Sequence, residues 1–270
     1  MSGKAIVVEN LCKTFGGGRS LFGKAAPAIH AVRNVSLELQ EGETLAVVGE
    51  SGSGKSTLAR MLVGLERPSS GAMTIGSKDA TTLAAEGSRA FGRAIQYVFQ
   101  DPVASLNPRK TIAQILDVPL RLLGRASGST RKQRMRELLD AVQMPANALE
   151  RYPHEFSGGQ AQRIAIARAL AADARILVLD EPVSALDVSV QAQVLLLLDD
   201  LRREFSLSYL FISHDLAVVE SIADRVAVMY LGELVELGET QSLFANPRHQ
   251  YTGDLIASAP RLTYRTTASG

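Results

Sequence analysis

One lysine set among glycines and hydroxyls marks the chemistry of this chain, in the stretch Gly49-Glu50-Ser51-Gly52-Ser53-Gly54-Lys55-Ser56-Thr57. The pattern G-x-x-x-x-G-K-[ST] is met at Gly49, Gly54, Lys55 and Ser56, between a short apolar run and a helical pattern. So bare a backbone lets several N–H groups approach phosphate oxygens at once. A side chain at Gly52 or Gly54 would block that approach or forbid the backbone angle it needs. A helix starting near Lys55 adds unpaired N–H groups and about half a positive charge at its N-terminus. Lys55 is expected to reach the β- and γ-phosphates of a nucleoside triphosphate, Ser56 to offer its hydroxyl to Mg²⁺, and Thr57 to support the α-phosphate. Alone, the loop says only that a nucleoside triphosphate binds.

Two further stretches carry chemistry. Ile176 to Glu181 is an apolar run ending in two carboxylates. Asp180 at its tip suits a Mg²⁺ held through water, and Glu181 suits a general base that polarises an attacking water. In Phe156-Ser157-Gly158-Gly159-Gln160 the residues Ser157, Gly158 and Gly159 expose backbone N–H groups where a helix begins. That makes a second anion site with no lysine of its own; a plain helix cap is the other reading of the same residues.

These residues need elements to hold them. Residues 5–11 are β-rich, and residues 31–43 read as a strand and turn with Val35, Leu37 and Leu39 opposite Ser36, Glu38 and Gln40. Between them residues 16–28 read as a Gly-, Ala- and Pro-rich loop. Residues 44–49 and 174–182 read as strands buried on both faces. Helical spacing follows the loop through Leu58, Met61, Leu62 and Leu65. Residues 190–205 form a long helix, 207–215 another strand, and 225–239 a hairpin around Gly232. Strands alternating with helices give an α/β fold with a mostly parallel sheet covered on both faces. Residues 101–170 interrupt it as a helical insert, in which Thr130 with Gln133 forms a capping-box pattern.

Composition excludes several classes. The chain of 270 residues has 29 basic and 28 acidic side chains, a net charge of +1, so no nucleic-acid footprint shows. Its single cysteine, Cys12, makes no internal disulfide and no iron–sulfur ligand set. The N-terminus lacks a signal-peptide apolar region. The longest apolar runs, such as residues 194–198, fall far short of the ~20 residues that span a bilayer.

The motifs, taken in order, resemble the ATP-binding-cassette (ABC) family over nearly the whole chain: the loop at 49–57, Gln100 in VFQDP, FSGGQ at 156–160, LVLDEP at 177–182, SALD at 184–187 and SHD at 213–215. The resemblance implies a P-loop NTPase with an N-terminal antiparallel β subdomain and an inserted helical subdomain. It implies a single cassette over residues 1–270: a nucleotide-binding core from 1–100 and 171–245, a helical part at 101–170 and a tail at 246–270. It also implies two cassettes paired head to tail, with ATP and Mg²⁺ between the loop of one and the signature segment of the other. Ser157, Gly158, Gly159 and Gln160 would then touch the partner's nucleotide. Gln100 would sense the γ-phosphate and Mg²⁺, His214 would contact the γ-phosphate and attacking water, and Asp187 would link the two sites. Gln100 also suits a turn, and His214 a hydrogen bond to a neighbour. His30, His154 and His249 read as surface or neighbour-bonded residues. Phe15 matches the adenine-stacking aromatic, with a core role and Phe22 as rivals.

The wording around VFQDPVASLNPR, RYPHEFSGGQ and EPVSALDVSVQAQV is most similar to the oligopeptide/dipeptide/nickel importer ATPases, and within them to the second ATPase. The tail NPRHQYTGDLIASAP resembles that family's C-terminal element, with Gln250 where the family has proline. This resemblance implies import of peptides or a related small solute and a peripheral place on the cytoplasmic face of the inner membrane. Its partners would be a second ATPase chain, two membrane-spanning permease subunits and an extracytoplasmic solute-binding protein. The alternative is a non-transport cassette acting on nucleic acid or ribosomes. Such proteins carry long coiled coils or two cassettes joined by a charged linker, and this sequence has neither.

Overall fold

In the computed structural model the described residues are 3–16, 27–124 and 130–258. In chain order the strands are β1 (Lys4–Phe15), β2 (Ile29–Gln40), β3 (Thr44–Val48), β4 (Ser70–Ile75), β5 (Lys78–Asp79), β6 (Ile95–Val98), β7 (Ile176–Asp180), β8 (Ser208–Ile212), β9 (Arg225–Tyr230) and β10 (Glu233–Glu239). The helices are α1 (Lys55–Leu62), α2 (Ala80–Glu86), α3 (Ser88–Ala94), α4 (Pro102–Ser105), α5 (Ile112–Leu122), α6 (Thr130–Ala141), α7 (Gly158–Leu170), α8 (Val188–Phe205), α9 (Leu216–Ile222), α10 (Thr240–Ala245) and α11 (Gln250–Ser258).

The strands form two sheets. One is antiparallel in the order β2-β1-β4-β5. The other runs β10-β9-β3-β8-β7-β6, parallel from β9 to β6 and closed by the antiparallel β10. The continuous apolar runs explain the centre of the second sheet: every residue of β3, β7 and β8 is buried, as strands covered on both faces require. The alternating run explains β2, where Val35, Leu37 and Leu39 are buried and Ser36 is exposed. The hairpin at 225–239 turns through Leu231 and Gly232, with φ of 48° and 88°. Two successive positive φ values match the right-handed twist of the flanking strands.

The pleat sends alternate side chains to different cores. Ile176 and Val178 of β7 join α1 and the antiparallel sheet, so that Leu58, Met61 and Leu62 are clamped between the two sheets. Leu177 and Leu179 join the helical part instead, with Ile164 and Ile166 of α7 and Leu197, Leu198 and Leu201 of α8. The helical segment therefore shares its core with the sheet. Ala46 and Val48 of β3 face a third cluster built from β9, α9 and α10, against which Leu255 and Ile256 of α11 pack.

Between Asp101 and Leu170 the described residues hold helices and no strand. α6 begins at Thr130, so its cap position falls on residue 129, outside the described residues; the Gln133 amide donates to Glu137 at 3.3 Å. Most of the 16–28 loop, with Phe22, and the tail beyond residue 258 also lie outside them. Among the described residues no helix is long and apolar enough to cross a membrane.

Candidate nucleotide site

The loop between β3 and α1 is shaped by close approach. A Cβ at Gly49, whose φ is 145°, would fall 2.1 Å from the Met229 carbonyl oxygen. One at Gly54, at φ 104°, would fall 2.2 Å from the Ala31 carbonyl oxygen. Gly52 differs: its φ is 81° but the space beside it is open, so only the backbone angle requires glycine there. At Gly54 it is β2 that crowds the position, a reason the sequence does not display.

Lys55 is 6% exposed and folds back on its own loop. Its ammonium donates to the carbonyls of Gly49 and Glu50, both at 2.7 Å, and to the Ser53 hydroxyl at 3.4 Å. Burial pulls its pKa below the ordinary lysine value, against the charges of Glu181, Asp180 and Glu50. Gly54 caps α1 without a side-chain bond, leaving the first amides of the helix open to a ligand.

Asp180 ends β7 with 6% exposure. Its Oδ1 accepts from the Ser56 hydroxyl at 3.2 Å and its Oδ2 from the Tyr97 hydroxyl. Burial first, and then the bond to Asp180, push the Tyr97 phenol above its usual range, so it stays a donor. Sequence reasoning missed Tyr97, whose only cue is an aromatic in the apolar run before Gln100.

Glu181 follows in the left-handed region at φ 48°, its N–H donating to the Ile212 carbonyl at 2.9 Å. That conformation costs a non-glycine residue roughly 1–2 kcal/mol, and the end of β8 holds it there. The Gln100 amide donates to Glu181 Oε2 at 2.8 Å, and His214 Nδ1 lies 3.1 Å from Oε1. Ser51, Gly52, Gly54 and the run from Lys55 to Thr57 line one cleft of about 890 Å³ with Gln100, Glu181 and His214. The structure thus brings together residues from four separate stretches of the sequence.

Other expected residues lie elsewhere. Ser157 and Gln160 close a reciprocal cap on α7: the Gln160 N–H donates to Ser157 Oγ at 3.4 Å and the Ser157 N–H to Gln160 Oε1 at 3.1 Å. In this chain the Ser157 and Gln160 N–H groups are therefore taken up by the cap. A Cβ at Gly159 would fall 2.4 Å from Val190 Cγ1, so that glycine is needed for packing on α8. Asp187 caps α8, accepting from the Val190 N–H at 3.0 Å and the Ser189 hydroxyl at 2.7 Å, which hold its carboxyl below the usual range. None of Ser157 to Gln160, nor Asp187, lines the cleft.

Phe15 is 39% exposed under the Lys13 ammonium, 4.8 Å from its ring centre, and is neither a core residue nor part of the cleft lining. The cleft wall beyond the loop is made by Ile29, His30, Ala31 and Leu231, none of them anticipated. His30 also meets the Thr14 hydroxyl at 3.0 Å. His154 stacks on Tyr152, and His249 accepts from the Tyr251 N–H.

A parallel sheet carrying a phosphate loop at the end of β3 and paired acids at the end of β7, beside an antiparallel sheet and a helical insert, defines an ATP-binding cassette. The chain belongs to the ABC transporter family, whose match covers residues 32–184. It is 48% identical over 253 residues to the "Glutathione import ATP-binding protein GsiA" of Escherichia coli (strain K12), and equally to that of Salmonella typhimurium (strain LT2). The alignment takes in 94% of this chain and 41% of those relatives, so the chain spans less than half their length. Among solved structures it resembles the ATP-binding cassette MJ0796 in a dimeric post-hydrolysis state bound to ADP and Pi, with TM-score 0.76, 30% identity, and coverage of 87% and 98% of the two chains. It also resembles cbiO1 from Clostridium perfringens, part of the ABC transporter complex cbiONQ, with TM-score 0.77, 26% identity, and coverage of 90% and 92%.

Proposed function

We infer that this chain binds and hydrolyses ATP to energise an importer of peptides or related small solutes. The observation that carries the reading is the carboxylate of Glu181, held by Gln100 and His214 at the mouth of the cleft that Lys55 underlies. Lys55 exchanges its two loop carbonyls for phosphate oxygens. Each Glu181 oxygen already accepts one contact and keeps a lone pair, so the carboxylate can take a proton from a water aimed at the γ-phosphate. His214, the more exposed partner at 58% against 17%, is free to follow that water and the phosphate. Catalysis rests on positioning and charge stabilisation.

The donors beside the cleft suit Mg²⁺. The Ser56 hydroxyl, the Asp180 carboxylate and the Gln100 amide are hard oxygen ligands, and this ion is usually bound through one or two carboxylates plus substrate phosphates. When bound it would neutralise charge on the phosphates. Among the described residues no group of three or more His, Cys, Asp or Glu is placed to hold a metal ion, so the fit rests on hydroxyl, amide and carboxylate oxygens together with the phosphates.

The signature segment lies outside the cleft, which supports a head-to-tail pair in which Ser157 to Gln160 complete the partner's site. The partner is a second, different ATPase chain, and Asp187 bridges the two sites. The relatives' name supports a peptide-like cargo, since glutathione is a small peptide. Two permease subunits and an extracytoplasmic solute-binding protein complete the machine, placing this chain on the cytoplasmic face of the membrane. The test is reconstitution in proteoliposomes. Turnover that rises with solute-loaded binding protein supports the reading. Turnover that ignores it and rises with nucleic acid or ribosomes refutes it.

A further inference from the structure

The tail returns to the loop. The Tyr251 hydroxyl oxygen of α11 accepts from the backbone N–H of Glu50 at 3.0 Å. That N–H belongs to the same peptide unit as the Gly49 carbonyl, which accepts from Lys55. One peptide plane at the entrance of the phosphate loop is therefore held on both edges, by a side chain of the loop and by one 201 positions away.

Tyr251 is itself well seated. Its ring lies 4.1 Å from that of Tyr230, centre to centre, at the end of β9. Leu255 and Ile256 fix the helix on the cluster around Val48 and Val228. The Glu236 carboxylate of β10 accepts from the N–H groups of Arg248 at 2.9 Å and His249 at 3.0 Å, anchoring the chain where α11 begins. His249 Nδ1 accepts from the Tyr251 N–H at 3.2 Å. Burial chiefly raises the Tyr251 phenol, which keeps it neutral beside Glu50.

We propose that Tyr251 is a positioning residue for the phosphate loop, through which docking of the C-terminal helix sets nucleotide affinity. The proposal rests on the nucleotide reading of the loop. When Lys55 turns to the phosphates, the Gly49 carbonyl loses its ammonium, and the Tyr251 bond to Glu50 remains to keep that peptide from rotating. A loop that rotates must be reordered by the ligand, and that cost appears in affinity. The bond is lost with a single oxygen atom, while the ring contact with Tyr230 survives replacement by phenylalanine.

The experiment compares the wild-type chain, Tyr251→Phe and Lys55→Ala. It reads ATP affinity by calorimetry, kcat and KM for hydrolysis, thermal unfolding, and hydrogen exchange of the Glu50 amide. Tyr251→Phe is expected to weaken ATP binding about fivefold, or about 1 kcal/mol, and to raise KM in step. Its kcat should stay within about twofold, with faster exchange at Glu50 and an unchanged unfolding temperature. Wild-type affinity in Tyr251→Phe, with Lys55→Ala unable to bind, overturns the tail proposal and leaves the nucleotide reading standing. A lower unfolding temperature with KM unchanged assigns Tyr251 to packing and also overturns it. A wild type that binds no ATP overturns both.

Discussion

Replacing Tyr97 by phenylalanine removes one oxygen from beneath the cleft. The hydroxyl donates to Asp180 Oδ2, with Tyr97 9% and Asp180 6% exposed, so neither group has ready access to bulk water. The ring should keep its seat, since it also packs edge-on against Phe99 with centres 4.6 Å apart. A hydrogen bond to a charged group contributes about 1.5–3 kcal/mol. After its loss the Asp180 carboxylate keeps the Ser56 hydroxyl at 3.2 Å, so the cost should fall toward the lower half of that range. The assay is a double-mutant cycle in urea unfolding of the isolated chain, using Tyr97→Phe, Asp180→Ala and the pair. A coupling energy of about 1.5 kcal/mol or more is expected, because each single change removes the same bond. ATP hydrolysis by Tyr97→Phe should fall as well, since Asp180 then loses a fixed orientation. Coupling below about 0.5 kcal/mol would show that the bond carries no weight in the folded chain, and the account of Asp180 would be wrong.

Lys55→Ala should weaken ATP binding by more than tenfold, read by calorimetry; unchanged affinity removes the lysine from the phosphate site. Glu181→Gln should bind ATP with near-normal affinity yet hydrolyse it about 10²–10⁴-fold more slowly, the usual range for a lost general base, and normal turnover removes Glu181 from that role. Ser157→Arg, introduced in this chain alone, should abolish hydrolysis at the partner's loop, measured in a complex whose own Glu181 is silenced. Full turnover there rules out the head-to-tail pair.

The loop was legible because its requirements are local: glycines, a lysine and a hydroxyl at fixed spacing, after a buried strand and before a helix. Strands β3, β7 and β8 were legible for a similar reason, since burial on both faces leaves an unbroken apolar run. The alternation in β2 showed its buried face, but β4, β5 and β6 carry shorter or mixed patterns and do not stand out. What escaped were residues whose role depends on distant neighbours. Tyr97 matters through Asp180, 83 positions away, and Ile29 and Leu231 become cleft walls only when β2 and the β9–β10 turn meet. The sequence shows Gly159 as a bare amide but not that Val190, on another helix, also excludes a side chain there. Local sequence states which atoms a ligand will need; it does not state which remote segment will crowd them.

The seating of β3 has a consequence for how the protein is made. Its flanking strands are β8 and β9, with Leu45 opposite Leu210 on one side and Arg225 on the other. Gly232 then ties the turn after β9 to the phosphate loop, donating its N–H to the Ser53 carbonyl at 3.0 Å. On the ribosome, residues 44–57 emerge long before any of these supports exist. The growing polypeptide must therefore carry an unfinished, apolar central strand until β9 (Arg225–Tyr230) and the turn after it have been translated, and only then does the capacity to hold ATP arrive.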